Sequence, residues 1–122
     1  MTNQVSVARS FRDLRVWQVG KQLVLELYAV TRAFPIDERF GLAAQIRRAA
    51  VSVPSNIAEG YNRGHRKDYR CYLSIALGSC GELEKQFEIA CELGYVAPEQ
   101  QRSLSEVLDH EARMLRTLIR RL

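Results

Sequence analysis

The chain has 122 residues, 47% of them hydrophobic and 26% charged, and a formal net charge of +4 at pH 7. That is long enough for one globular domain with its own core, and the modest charge is compatible with an acidic partner without demanding one. Its 3 cysteines include no Cys-x-x-Cys pair, which excludes a disulfide framework or a zinc site as the organising device.

Cys71, Cys80 and Cys91 read instead as small apolar residues of a reducing compartment. No apolar run approaches the ~20 residues of a membrane span, and the chain's start lacks the apolar stretch of a signal peptide, so a cytoplasmic protein with no membrane partner is expected. The cations are overwhelmingly arginine, with lysine only at Lys21, Lys67 and Lys85. A guanidinium matches phosphate in bidentate fashion and stacks on bases, which suits nucleic acid; a GC-rich genome produces the same bias without a functional cause.

Residues 1–10 are polar and aperiodic and predict a mobile tail, followed by a single domain over residues 11–122. Arg9, Arg12 and Arg15 fall every third residue around the junction, as either a solvated basic end or an arm that reaches phosphate. The first helix is expected from about Asp13 to Phe34, with Leu14, Trp17, Val24, Leu27, Tyr28, Thr31 and Phe34 inward and Pro35 helping to stop it. Asp37 suits the N-cap of the second helix, its carboxylate accepting from first-turn amides. Gly41, costing ~1 kcal/mol against alanine within a helix, joins Gly20, Gly78, Gly81 and the alanines Ala43, Ala44, Ala49 and Ala50 as marks of tight helix contact, inside the bundle or between subunits.

The run from Gln45 to Tyr61, QIRRAAVSVPSNIAEGY, makes choices that packing alone does not demand. Ile46, Ala50, Val53, Ile57 and Tyr61 recur on one helical face, which predicts that Pro54 kinks the helix. The alternative is a boundary between two shorter helices, capped by Ser52 or Ser55. On the kinked reading Asn56 and Glu59 sit beside the bend, where their polar ends could satisfy backbone groups that the proline frees.

The second helix is expected to end near Gly60 or Asn62, and around the loop at Gly64 lies the densest basic cluster: Arg63, His65, Arg66, Lys67 and Arg70, opposed only by Asp68 and interleaved with Tyr61, Tyr69 and Tyr72. Cations among aromatics combine phosphate contact with base stacking, as single-stranded nucleic acid requires; alternatively the tyrosines belong to the core stripe and the cations to solvent. The third helix is expected from about His65 to Leu93. Its end carries Glu82, Glu84, Glu88 and Glu92, negative charge that opposes the macrodipole and so calls for another cause. Gly94 fits a left-handed cap and Pro98 the first position of a fourth helix, whose Arg113, Arg116, Arg120 and Arg121 suit a helix C-terminus, the alternative being a second nucleic-acid site.

Four blocks carry a family likeness: FRDLRVWQ (Phe11 to Gln18), ERFGLAAQIRRAAVSVPSNIAEGY (Glu38 to Tyr61), YLSIALGSCGELE (Tyr72 to Glu84) and ELGY (Glu92 to Tyr95). In order and separation they resemble the signature blocks of the 23S rRNA intervening-sequence protein family. The resemblance implies an all-α, antiparallel up-down-up-down four-helix bundle that assembles into a ring-like homopentamer. A related branch of that family serves as the accessory protein of diversity-generating retroelements, which adds nucleic acid and a reverse transcriptase as candidate partners.

No catalytic constellation stands out. Di-iron bundles need two Glu-x-x-His motifs on facing helices, and His110 instead follows Glu106 by four residues. No metal site, cofactor or catalytic residue is expected. The sequence therefore points to a non-catalytic nucleic-acid-binding homo-oligomer, RNA ahead of single-stranded DNA, with Arg63, Arg66, Lys67 and Arg70 as first candidates for phosphate and Arg47 and Arg48 as second. A structural polar network of Arg47, Asn56, Glu59 and Glu82, joining the second and third helices, is also expected. The competing reading is an oligomeric scaffold whose basic surface docks an acidic protein or a reverse transcriptase.

Overall fold

Apolar residues recur every three or four positions along four segments of the chain. In the computed structural model, which describes residues 8–122, each segment is a helix: α1 (Arg15–Thr31), α2 (Leu42–Asn62), α3 (Arg66–Glu92) and α4 (Pro98–Arg121). The described residues contain no strand, and the all-α four-helix architecture is as expected. The first seven residues of the expected mobile tail lie outside the described residues.

Neighbouring helices run in opposite directions. Arg47 near the start of α2 bonds Thr31 at the end of α1, whereas Pro54, further along α2, faces Gly20. Ser52 of α2 meets Ser79 of α3, and Gly60 meets Tyr69 and Tyr72. Cys91 and Glu84 of α3 share a groove with Gln101 and Leu108 of α4, and Leu14 and Arg15 lie beside Leu118 and Arg121. Inside this frame Leu23, Leu27, Ile46, Ile57, Leu73, Leu83 and Leu115 are fully buried. Each such side chain contributes about 1.5–3 kcal/mol relative to exposure.

Several boundaries differ from expectation for local reasons. Phe11–Asp13 forms a 3-10 turn before α1, with the Ser10 hydroxyl accepting from the Arg12 amide. The buried stripe of α1 is Val16, Val19, Leu23, Leu27 and Val30; Trp17 is half-buried because it packs edge-on against Phe11, with ring centroids 5.0 Å apart. Asp37 does not cap α2. Ile36–Glu38 forms a second 3-10 turn, α2 starts at Leu42, and the Glu38 carboxylate accepts from the Leu42 amide at 3.0 Å.

α2 continues unbroken through Pro54 to Asn62. Proline has no N–H, so the Ala50 carbonyl loses the donor that a regular helix would give it. The turns after α2 and α3 hold Gly64 at φ +76° and Gly94 at φ +82°, a left-handed conformation that other residues rarely adopt. Pro98 then opens α4. Of the glycines expected to mark tight contacts, Gly20 does so, while among the described residues nothing beyond their own stretch of α3 lies within 4 Å of a Cβ placed on Gly78 or Gly81.

Candidate nucleic-acid interface

The α2–α3 corner is built on the closeness of Gly60 to Tyr69 and Tyr72. Arg63, just past the end of α2, is held there: its Nε donates to Glu59 at 2.8 Å, its Nη2 donates to the Tyr72 hydroxyl at 2.8 Å, and its guanidinium sits 5.2 Å from that ring's centroid. Arg66, Lys67 and Arg70 are exposed, and no ion pair engages them among the described residues. Cations in the first turn of α3 oppose the helix macrodipole, so helix stability does not account for them. His65 provides no side-chain cap. The first amides of α3, without acceptors along the helix, add donors to the guanidinium and ammonium groups beside them, an arrangement suited to an anion.

The interleaved tyrosines are occupied by the corner itself. Tyr61 and Tyr69 pack edge to face at 6.0 Å, and burial pushes the Tyr69 hydroxyl above its ordinary pKa. The Tyr61 hydroxyl donates to the Ala8 carbonyl at 2.9 Å.

That last bond fixes the N-terminal segment to the same corner. The Arg9 amide donates to Asp13 at 2.9 Å, Gln18 donates to the Arg12 carbonyl at 3.0 Å, and the Arg12 guanidinium lies 4.5 Å from the Phe11 centroid. Arg9 and Arg12, both exposed, are thereby held near the end of α2, at the same end of the bundle as the start of α3. The direction of α4 carries Arg116, Arg120 and Arg121 to the same end of the bundle, with Arg113 paired to Asp109. Toward the opposite end lie Asp37, Glu38, Glu88, Glu92 and Glu99, with Arg32 and Arg39 among them. Three basic clusters separated in sequence thus form one pole.

Other predicted residues are placed elsewhere. Arg47 turns toward α1, its Nε donating to Thr31 Oγ1 at 2.8 Å and its guanidinium 4.7 Å from the Tyr28 centroid. Arg48 is exposed and lines a groove between α2 and α3 with Gln45, Ser52, Glu82 and Gln86. The expected network of Arg47, Asn56, Glu59 and Glu82 is not assembled within the described chain. Arg47 and Glu59 lie twelve residues apart on one helix, about 18 Å at 1.5 Å per residue, and Glu59 takes Arg63 instead. Asn56 donates to the Ser52 carbonyl at 2.8 Å and to its hydroxyl at 3.0 Å, and that hydroxyl meets Ser79 Oγ at 2.7 Å. This Ser52–Ser79 link between α2 and α3 is neutral, and among the described residues Glu59 is tied to α3 only through Arg63 and the Tyr72 hydroxyl. The link through Ser52 does not reach the Ala50 carbonyl that Pro54 frees.

Sequence reasoning also missed Glu111, which is fully buried with both carboxylate oxygens unpartnered among the described residues. The signal was present: Glu111 falls between Leu108 and Leu115 on the apolar stripe of α4.

The family model for 23S rRNA-intervening sequence proteins matches residues 12–117. The chain belongs to that family. Among solved structures, this intervening-sequence family member is similar to a protein of unknown function from the S23 ribosomal protein family of Bacteroides thetaiotaomicron, with a TM-score of 0.79 and 23% identity over 85% of this chain and 97% of that one. That likeness concerns the fold. No curated protein matches the sequence. Among the described residues no helix is long and apolar enough to cross a membrane.

Proposed function

We propose that this protein is a non-catalytic, nucleic-acid-binding homo-oligomer whose basic pole contacts the phosphates of single-stranded RNA, and less readily of single-stranded DNA. The observation that carries the reading is the convergence of Arg9, Arg12, Arg66, Lys67 and Arg70 on one end of the bundle, held by the Tyr61–Ala8 bond and the α2–α3 corner. Arg66, Lys67 and Arg70 supply phosphate contacts beside the open amides of α3, and Arg63 shapes the surface through Glu59 and Tyr72. The family's description names an rRNA intervening sequence, which favours RNA. A cytoplasmic homopentamer, as the family likeness implies, would present five such poles and gain avidity without a strongly basic subunit.

A second reading, a scaffold for a protein such as a reverse transcriptase, draws on the opposite end, where Ile36 and Phe40 are 76% and 89% exposed. The two readings separate in a salt series. Binding of RNA and single-stranded DNA oligonucleotides by the wild type and by the Arg66→Gln/Arg70→Gln double variant is measured at increasing salt. Loss of two phosphate contacts is expected to lower the log–log salt slope by about 1.4 for a single strand. An intact oligomer that binds neither nucleic acid at low salt would overturn the nucleic-acid reading in favour of the scaffold.

A further inference from the structure

Glu111 takes no part in the basic pole, yet its surroundings are unusual. It belongs to α4, on the stripe shared by Leu104, Leu108 and Leu115, and is 0% exposed. Neither Oε1 nor Oε2 has a hydrogen-bond partner among the described residues. It fills space that α1 leaves by having no side chain at Gly20: a Cβ there would stand 2.9 Å from Glu111 Oε2 and 3.4 Å from both Pro54 Cβ and Val53 Cγ1. The carboxyl therefore sits where α1, α2 and α4 meet, beside the proline that interrupts the hydrogen bonding of α2.

We propose that Glu111 is carried as a neutral acid in the closed bundle and acts as a proton-linked latch, so that losing its proton loosens α4 from α1 and α2 at the Gly20–Pro54 crossing.

An ionised carboxylate needs donors or water to replace its hydration, and this enclosure offers apolar atoms instead. From α2, Val53 and Pro54 approach the same Gly20 position that Glu111 Oε2 faces. From α3 the carboxyl is felt by Cys80, whose thiol is pushed up to about 12, first by burial and then by Glu111. From α1, Arg15 draws the carboxyl's pKa down; within α4, Arg116 acts on Cys80. Burial outweighs Arg15 and pushes Glu111 up to about 8 from an ordinary 4.5. The folded chain thus holds a proton that the unfolded chain releases. The stability this confers is complete below about pH 4.5, is lost progressively as pH rises to about 8, and changes no further above that.

The test is reversible unfolding of the intact protein from about pH 5 to about pH 9, wild type beside Glu111→Gln. Relative to the variant, the wild type's folding equilibrium constant is expected to drop about tenfold per pH unit up to the folded-state pKa and then to hold a constant ratio. Infrared spectroscopy of the wild type at neutral pH should show a protonated carboxyl band that Glu111→Gln lacks. A ratio independent of pH, or a wild type without that band, overturns the latch. Should the variant fail to fold, the infrared pH titration of the wild type decides: a buried carboxyl band that disappears on alkaline titration supports the latch, and its absence at neutral pH rejects it.

Discussion

Gly60 of α2 faces Tyr72 of α3 so closely that a Cβ on the glycine would stand 2.7 Å from the tyrosine's own Cβ and 3.3 Å from the Tyr69 Cα. Neither atom is the end of a flexible side chain, so an added methyl forces the helices apart. Gly60→Ala is expected to cost about 1–3 kcal/mol in urea unfolding, despite alanine's better helix propensity. It should also weaken nucleic-acid binding, because Arg66 and Arg70 ride on the displaced start of α3. An alanine variant as stable as the wild type would show that the corner is looser than described.

The Tyr61 hydroxyl ties Ala8 to the corner across the length of α1 and α2. Removing it in Tyr61→Phe should cost about 0.5–1.5 kcal/mol, the net value of one hydrogen bond. The more informative readout is the salt dependence of RNA binding. If the strap presents Arg9 and Arg12 to phosphate, releasing it lowers the single-strand slope by up to about 1.4. An unchanged slope would remove the N-terminal arginines from the interface.

Much of the fold was legible because periodicity and turn chemistry agree: the four apolar stripes, Gly64, Gly94 and Pro98 mark the helices and two of the three turns. The start of α2 was not, because Asp37 has the side chain of a cap and only the chain path shows that Glu38 is the residue that reaches the Leu42 amide. At the candidate site, the cluster from Arg63 to Arg70 could be read directly. Its union with Arg9, Arg12 and the end of α4 required knowing which helix ends coincide. Arg47 and Arg48 illustrate a further limit. Adjacent residues on a helix diverge by about 100°, and sequence does not say that Arg47 is the one turned toward Thr31.

That orientation separates structure from binding at Arg47. Thr31, 3% exposed, donates its hydroxyl to the Leu27 carbonyl at 2.7 Å and accepts from Arg47 Nε at 2.8 Å. Thr31→Val keeps the shape and deletes the acceptor, which is expected to cost about 1–3 kcal/mol while leaving RNA affinity unchanged. Retained stability with lost binding would make Arg47 a ligand contact instead.

The collection of arginines at one end has a consequence for approach as well as for contact. Helices of this length hold the two poles roughly 35 Å apart at 1.5 Å per residue, beyond the ~8 Å Debye length of physiological salt. Each pole is therefore sensed nearly independently by an oncoming polyanion, which attracts one and repels the other. The resulting torque turns the molecule basic end first before anything touches, so the charge layout governs the speed and orientation of encounter separately from the strength of the final complex.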